Sequence, residues 1–237
     1  MITIMGNVYL LRHGKVNGAA ALYGKTDIDV SSTIDDEILK TLINRQDKFE
    51  LVLTSPLKRC LSLAQNFSRE TGKPIVLINA MQEMDFGEYD GRAFDDIPYI
   101  DPSCKDKGDS EQKPWADLEK FWQNPAEYSL PNAEQLSDFH QRVKHAWNTV
   151  LTKYKDENIL LTTHGGVIRM ILADVLDLNW KNAKLFNQLH IGNASITHIH
   201  TSTFDTNTSN TRALDTNNLD IKVRAIGMPL SGLTADE

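Results

Sequence analysis

The sequence has few cysteines: Cys60 and Cys104 are the only two among its 237 residues. A disulfide framework of the kind that holds small secreted domains together is therefore excluded, and a reducing compartment is expected. No apolar run approaches the about 18 residues that a membrane-spanning helix needs. No basic segment followed by a long apolar core marks a signal peptide either. These absences predict a cytoplasmic protein that does not associate with membranes.

Positive charge is also scarce, because 25 lysines and arginines face 32 aspartates and glutamates, for a formal net charge of -7. A general nucleic-acid binder needs a basic stripe that displaces counterions from phosphates, so this class of partner is not expected. A small phosphorylated metabolite needs only a few cations in one place and remains a suitable partner. The hydrophobic fraction of 41% is ordinary for a globular protein with a full-sized core.

Short apolar runs alternate along the chain with segments of helical periodicity. The runs have the length of single buried strands, and the segments between them place apolar residues three and four positions apart. The runs cover residues 8–11, 51–53, 75–78 and 159–163, and the helical spacing covers 34–42, 57–67, 136–150 and 167–175. Such alternation predicts an α/β fold.

We expect the whole chain, residues 1–237, to form a single domain, because no linker-like segment interrupts it before its C-terminal part. The segment 92–130 contains two X-Pro turns and several aromatic residues but too few apolar residues for a core of its own. It is predicted to be an excursion that covers a pocket. Residues 201–218 are rich in Thr, Asn, Ser and Asp and are predicted to be a polar loop between two closing strands, 194–200 and 221–226.

The run 8–11 ends abruptly in Arg12, His13 and Gly14. In open α/β sheets ligands bind beyond the carboxyl ends of the strands, where a glycine lets the backbone approach the ligand. Arg12 and His13 are therefore expected to face a pocket. Taken alone, an Arg-His pair after a strand more often belongs to a solvated loop, so the hypothesis depends on partners elsewhere in the chain.

Two further strand ends carry similar residues. After 51–53, Ser55 and Pro56 have the character of a helix cap and first helical residue, which puts Arg59 in the opening turn. After 159–163, His164 and Gly165 precede another helix. Free amides at a helix N-terminus favour an anion, so both places suit a phosphate. A surface arginine on an amphipathic helix is the alternative for Arg59.

The segment 83–90 holds four carboxylates, Glu83, Asp85, Glu88 and Asp90, together with a glycine. Its composition indicates a loop. Any of the four side chains could serve as a proton donor, and composition does not choose among them.

In their order and spacing, these motifs resemble those of the histidine phosphatase superfamily, which includes cofactor-dependent phosphoglycerate mutase. The resemblance rests on Arg12-His13-Gly14, the segment 55–60, Glu83 before Gly87, and His164-Gly165. It implies a three-layer α/β/α architecture with a mostly parallel central sheet, as in phosphoglycerate mutase. Residues 23–27, 83–88 and 164–169 are most similar to those of the α-ribazole phosphatase group of that family.

The resemblance also implies roles for the candidate residues. His13 would attack phosphorus and form phosphohistidine, while Arg12 and Arg59 would bind the phosphoryl oxygens in bidentate fashion. His164 would complete the clamp as a proton donor. Glu83 would protonate the leaving alkoxide and then activate water.

One part of the family pattern is altered. Family members commonly carry an asparagine that touches phosphate six residues beyond the histidine, where this chain has Ala19. Asn17 is the candidate replacement, and Lys15 a candidate extra cation. Gly24 and Lys25 in the rim segment are further candidates for phosphate binding.

The predicted function is therefore hydrolysis of phosphate monoesters without a metal or other cofactor, through a phosphohistidine, on α-ribazole 5′-phosphate of cobalamin assembly. A broad-specificity phosphatase of sugar or glycolytic phosphates, a phosphoglycerate mutase and a non-catalytic phospho-ligand binder are the alternatives. The sequence leaves the oligomeric state open.

Overall fold

The computed structural model describes residues 3–99, 114–204 and 219–233. Within these ranges, six strands form one sheet and six α-helices accompany it. The strands are β1 (Thr3–Arg12), β2 (Leu51–Thr54), β3 (Ile75–Leu77), β4 (Asn158–Thr163), β5 (Ser195–Phe204) and β6 (Leu219–Pro229). The helices are α1 (Ser32–Ile43), α2 (Lys58–Thr71), α3 (Pro114–Gln123), α4 (Leu136–Lys153), α5 (Gly165–Val175) and α6 (Lys184–Asn187).

The strand order is β3-β2-β4-β1-β5-β6. The pairs β3–β2, β2–β4 and β4–β1 are parallel, whereas β5 and β6 are added in antiparallel orientation. The predicted mostly parallel sheet is confirmed, and so are the two closing strands.

Side chains of the central strands alternate between two core clusters, as the pleat of a strand requires. Leu10 and Leu161 lie in a cluster with residues of α3, α4 and α5, while Leu11 and Leu160 lie in a cluster with residues of α1 and α2. Helices therefore cover both faces of the sheet. The predicted three-layer α/β/α architecture is confirmed.

The register of the parallel strands brings the predicted motifs together. Arg12 at the end of β1 is opposite Thr163 at the end of β4, and the amide of His13 donates to the Thr163 carbonyl over 3.0 Å. The amide of Ser55, after β2, donates to the Thr162 carbonyl over 3.0 Å. Three strand ends thus meet at one edge of the sheet, where the residues that follow them share a site.

The prediction that Ser55 and Pro56 open the second helix is wrong. Helix α2 begins at Lys58 with Leu57 as its N-cap residue. Ser55 stays in the sheet-end turn because its backbone is held by β4 and its hydroxyl by a buried histidine.

Two predicted loop segments are only partly described. Within 92–130, a 3-10 turn at Phe94–Asp96 and helix α3 are described, and residues 100–113 lie outside the described residues. The polar loop predicted at 201–218 begins inside β5, which continues to Phe204, and its remainder lies outside the described residues. No helix in the described part of the chain is long and apolar enough to cross a membrane.

Candidate active site

Two histidines from neighbouring parallel strands lie side by side at the carboxyl edge of the sheet. The ring centroids of His13 and His164 are 5.3 Å apart with an interplanar angle of 60°. His13 is 8% exposed and His164 is fully buried. Because their strands are paired in register, the sheet itself fixes the separation of the two imidazoles.

The tautomer of His13 is set by a backbone contact. Its Nδ1 lies 2.7 Å from the carbonyl oxygen of Gly14. A carbonyl only accepts hydrogen bonds, so Nδ1 carries the proton and Nε2 keeps a free lone pair. Burial, together with the positive charge of Arg59, lowers the pKa of His13 to about 3. The imidazole is therefore neutral at physiological pH, as a nucleophile must be.

His164 is held at both ring nitrogens. The Nε of Arg59 donates to His164 Nδ1 over 3.2 Å, so the ring proton is on Nε2, which lies 2.8 Å from the Ser55 hydroxyl. Burial and the charge of Arg59 lower the pKa of His164 well below its ordinary value. Sequence reasoning missed the role of Ser55, for which its place directly after β2 is the available signal.

Arg59 is fully buried and directs its guanidinium at the rim segment, defined here as residues 23–27. Its Nη1 donates to the Thr26 carbonyl over 2.8 Å, and its Nη2 donates to the carbonyls of Tyr23 and Gly24 over 3.0 and 2.6 Å. With Nε on His164, these contacts leave one of the five N–H donors for another partner. In this conformation the bidentate phosphate contact implied by the family resemblance is not available from Arg59.

Arg12 differs from Arg59 in its Nε donor, which Arg59 uses on His164. Its Nη1 donates to the Ile191 carbonyl over 2.5 Å, whereas its buried Nε has no hydrogen-bond partner among the described residues. The side chain lies over Gly165 at the start of α5: a Cβ on that glycine would come 3.4 Å from Arg12 Nε. An unpaired guanidinium donor beside a helix N-terminus is suited to an anion.

The four carboxylates of the segment 83–90 have separate contacts. Glu83 Oε2 accepts from the Gly166 amide over 2.9 Å, at the first turn of α5. Asp85 accepts from the Gly87 amide and from Lys25, and Glu88 accepts from Asn132, whereas Asp90 binds the rim segment. Of these four carboxylates, Glu83 is the one that lines the cavity beside His13.

The rim segment is held by its backbone. The amides of Gly24, Lys25 and Thr26 donate to the Asp90 carboxylate over 3.3, 2.9 and 2.9 Å. A Cβ on Gly24 would come 2.0 Å from the Met84 carbonyl oxygen, so only glycine fits there. The exposed Lys25 ammonium bonds Asp85 over 2.8 Å. Neither Gly24 nor Lys25 lines the cavity beside His13. The structure therefore gives no support to their predicted contacts with phosphate.

The cavity beside His13 measures about 400 Å³, and Arg12, Lys15, Glu83 and Phe86 are among its lining residues. Asn17, the predicted substitute for the family asparagine, is exposed and donates its amide to the Asp29 carbonyl without lining this cavity. Lys15 and Ala19 do line it.

Two residues that sequence reasoning missed also belong to the site. Asn193, just before β5, lines the cavity and donates from Nδ2 to the carbonyls of His13 and Gly14 over 3.3 Å each. Arg169, on α5, has its Nη1 2.9 Å from where a Cβ on Gly165 would lie, and its guanidinium donates to the Leu189 carbonyl. The run from His164 to Arg169 gave a signal for the arginine, whereas nothing in the sequence marked Asn193.

The arrangement combines a neutral imidazole with a free lone pair, an unpaired guanidinium donor and a carboxyl group around one cavity. These groups suit phosphoryl transfer, in which catalysis consists chiefly of positioning and of stabilising charge on the phosphoryl oxygens.

Comparison with known proteins also indicates phosphoryl-transfer chemistry. The family model described as histidine phosphatase superfamily (branch 1) matches residues 8–211. A candidate phosphoserine phosphatase of Hydrogenobacter thermophilus is 26% identical over 208 residues, which cover 83% of this chain and 90% of that protein. The adenosylcobalamin/α-ribazole phosphatase of Escherichia coli is 24% identical over 176 residues, covering 72% and 79%. The structure of a mycobacterial glucosyl-3-phosphoglycerate phosphatase superimposes with a TM-score of 0.70 at 18% identity, covering 94% of this chain and 99% of that one.

Proposed function

This chain belongs to the histidine phosphatase superfamily, and from that premise we propose that it hydrolyses phosphate monoesters through a phosphohistidine on His13, without a metal ion. The observation that carries the proposal is the state of His13: its Nδ1 proton is bound by Gly14, and its Nε2 lone pair is free beside the cavity that Arg12 and Glu83 line. Neutral imidazole is a competent nucleophile, and a covalent intermediate divides a slow displacement into two easier ones.

In the first step, His13 Nε2 forms a bond to phosphorus and the bond between phosphorus and the ester oxygen breaks. The bonding electrons leave with that oxygen, which takes a proton from the protonated Glu83 carboxyl. Arg12 and the amides at the start of α5 stabilise the charge on the remaining oxygens.

In the second step, Glu83 as carboxylate takes a proton from water, whose oxygen attacks the phosphorus on His13. The N–P bond breaks, its electrons return to Nε2, and inorganic phosphate leaves with the added oxygen. The neighbouring His164 ring is held by Arg59 and Ser55. Once its Nε2–H leaves the Ser55 hydroxyl, His164 donates that hydrogen bond to a phosphoryl oxygen instead.

For the substrate we propose α-ribazole 5′-phosphate. The similarity to the Escherichia coli protein and the rim segment 23–27 support it. Phosphoserine is the substrate class that the Hydrogenobacter relative's name supports, and sugar phosphates and glycerate phosphates are further candidates. A small phosphorylated metabolite in the cytoplasm is the partner common to all of them.

The test uses p-nitrophenyl phosphate in excess EDTA, with quenching into alkali, in which phosphohistidine persists. We expect phosphate release and a phosphoenzyme that His13→Asn abolishes and that His145→Asn, a change at an exposed histidine of α4, retains. A strict metal requirement would contradict the proposal. Phosphoryl exchange between glycerate phosphates would indicate a mutase instead, and binding without turnover a non-catalytic binder. A panel of α-ribazole 5′-phosphate, phosphoserine and 3-phosphoglycerate then tests the substrate.

A further inference from the structure

A second cavity adjoins the one beside His13. It measures about 210 Å³ and shares three lining residues, Leu22, Glu83 and Phe86, with the first cavity. Five aromatic side chains from four different segments line it, namely Phe86, Phe121, Trp122, Phe139 and Phe186. We call it the aromatic cavity.

The proposed chemistry puts the leaving group of the substrate at the entrance to this cavity. Phosphorus must lie at His13 Nε2, and the ester oxygen must lie within reach of the Glu83 carboxyl that protonates it. Glu83 belongs to the walls of both cavities, so the atoms beyond the ester oxygen start at the boundary between them. The aromatic cavity adjoins this boundary and is lined by Glu83 but not by His13.

The walls of the aromatic cavity suit an uncharged group. Its two charged lining residues, Glu83 and Arg169, have opposite signs, and each is already bound: Glu83 by the Gly166 amide, Arg169 by the Leu189 carbonyl. Asn187, also in the wall, donates to the Trp122 carbonyl over 2.9 Å. A carboxylate or ammonium that entered would exchange its water for walls that are mainly aromatic and apolar, which is costly.

Contacts with other aromatic rings fix the orientation of the rings that line the aromatic cavity. Phe86 and Phe121 pack edge to face with ring centroids 6.1 Å apart. Trp122 packs edge to face on Phe94 and Trp115, with centroids at 5.8 and 6.0 Å. Such packing holds the rings in place before a ligand arrives, which lowers the entropic cost of binding.

We propose that the aromatic cavity is the leaving-group subsite, and that the substrates of this enzyme are phosphate monoesters whose alcohol carries an uncharged aromatic ring or a similarly apolar group. The volume fits this class, since an apolar cavity of about 150 Å³ is enough to hold benzene. The proposal rests on the proposed phosphatase function and narrows its substrate class.

The test compares benzyl phosphate, ethyl phosphate and O-phosphoserine as substrates of the full chain. All three release an alkoxide, so their need for protonation by Glu83 is similar and their differences report on the rest of the alcohol. We expect kcat/KM for benzyl phosphate to exceed that for ethyl phosphate by about 10- to 100-fold, with phosphoserine no better than ethyl phosphate. If turnover of alkyl esters is too slow to measure, inhibition of p-nitrophenyl phosphate hydrolysis by benzylphosphonate and ethylphosphonate gives the same comparison.

A substitution in the cavity wall tests whether the aromatic cavity causes the expected preference for benzyl phosphate over ethyl phosphate. Phe186→Ala should lower the benzyl-to-ethyl ratio about tenfold. Trp180→Ala removes another partly buried ring outside the cavity and should leave the ratio unchanged. Equal rates on benzyl and ethyl phosphate, a preference for phosphoserine, or a ratio insensitive to Phe186→Ala would each overturn the subsite while leaving the phosphatase function intact. Failure to hydrolyse p-nitrophenyl phosphate would instead remove the function and the subsite together.

Discussion

Arg59 Nε donates to Nδ1 of His164 over 3.2 Å, at the centre of a continuous polar chain. On one side of this contact, His164 Nε2 reaches the Ser55 hydroxyl. On the other, the same guanidinium holds the carbonyls of the rim segment, whose amides are held by Asp90. The orientation of a buried imidazole is therefore coupled to a loop at the surface through one arginine.

Replacing Asp90 should disturb the site although Asp90 does not line the cavity beside His13. Its carboxylate accepts from the amides of residues 24–26 and of Phe86, and an asparagine offers a single acceptor oxygen in its place. We expect Asp90→Asn to lower kcat/KM for p-nitrophenyl phosphate about tenfold and to cost about 1–3 kcal/mol of unfolding free energy. Steady-state kinetics and urea unfolding measure both effects.

Glu88→Gln is the matched control for Asp90→Asn. Glu88 lies in the same acidic segment, but it accepts a hydrogen bond from the exposed Asn132 and none from the amides of residues 24–26. It should change neither quantity appreciably. Equal effects of the two substitutions would show that the rim is not positioned by Asp90.

Removing the Ser55 hydroxyl should deprive the buried Nε2–H of His164 of its oxygen acceptor and leave only the weakly accepting Cys60 sulfur, 3.6 Å away. An unsatisfied buried donor costs about 1–3 kcal/mol, so Ser55→Ala should lower the urea midpoint and reduce kcat more than it raises KM. Ser55→Thr, which keeps the hydroxyl, should recover most of the loss in kcat. A loss of stability without any change in kcat would assign Ser55 a purely structural role.

Glu83→Gln should slow hydrolysis of an alkyl phosphate far more than that of p-nitrophenyl phosphate. An alkoxide needs a proton as it leaves, whereas p-nitrophenolate leaves readily without one. The ratio of the two kcat values measures the effect. The control is Asp85→Asn, which changes a nearby carboxylate bound to Lys25 and should alter the kcat for both substrates equally. If Glu83→Gln lowered kcat equally for both substrates, Glu83 would not be the acid.

Acid should destabilise the protein through its buried histidines. Burial lowers the pKa of His13 to about 3 and that of His198 to about 4, whereas both titrate near 6.5 once unfolded. Between these values the unfolded chain binds protons that the folded one does not. The unfolding free energy should therefore fall, on the order of a few kcal/mol, as the pH drops from about 6.5 to about 3.

Urea unfolding at several pH values checks this slope. His198→Asn should flatten it, and His145→Asn, at an exposed position, should leave it unchanged. A wild-type stability that stays constant from pH 7 to pH 4 would contradict the burial of neutral histidines.

The sequence was sufficient for the elements that depend on local pattern. Apolar runs that end in Arg12-His13, Ser55 and His164-Gly165 correctly predicted parallel strands whose carboxyl ends meet, because a strand's period and its terminating residues are both encoded locally. The helix start at Lys58 was missed because contacts from β4 and His164 keep Ser55 out of the helix.

Contacts between distant segments could not be predicted. Asn193 reaches the carbonyls of His13 and Gly14 because antiparallel pairing places the start of β5 beside the end of β1, whereas Asn17, close in sequence, is directed elsewhere. The separate contacts of Glu83, Asp85, Glu88 and Asp90 likewise depend on what folds against each of them. Their composition is uniform, and only the tertiary contacts distinguish them.

Strand β1 is bonded on both sides, by β4 and by β5, whereas the turn at residues 24–26 is bound through the side chains of Asp90 and Arg59. Amide hydrogens in β1 should consequently exchange with solvent only through rare global unfolding. Amide hydrogens of the turn should exchange through local openings of low free energy. The imidazole proposed to carry the phosphoryl group should thus follow directly on the slowest-exchanging part of the described chain. The turn near it should open and reclose many times within the lifetime of the folded sheet.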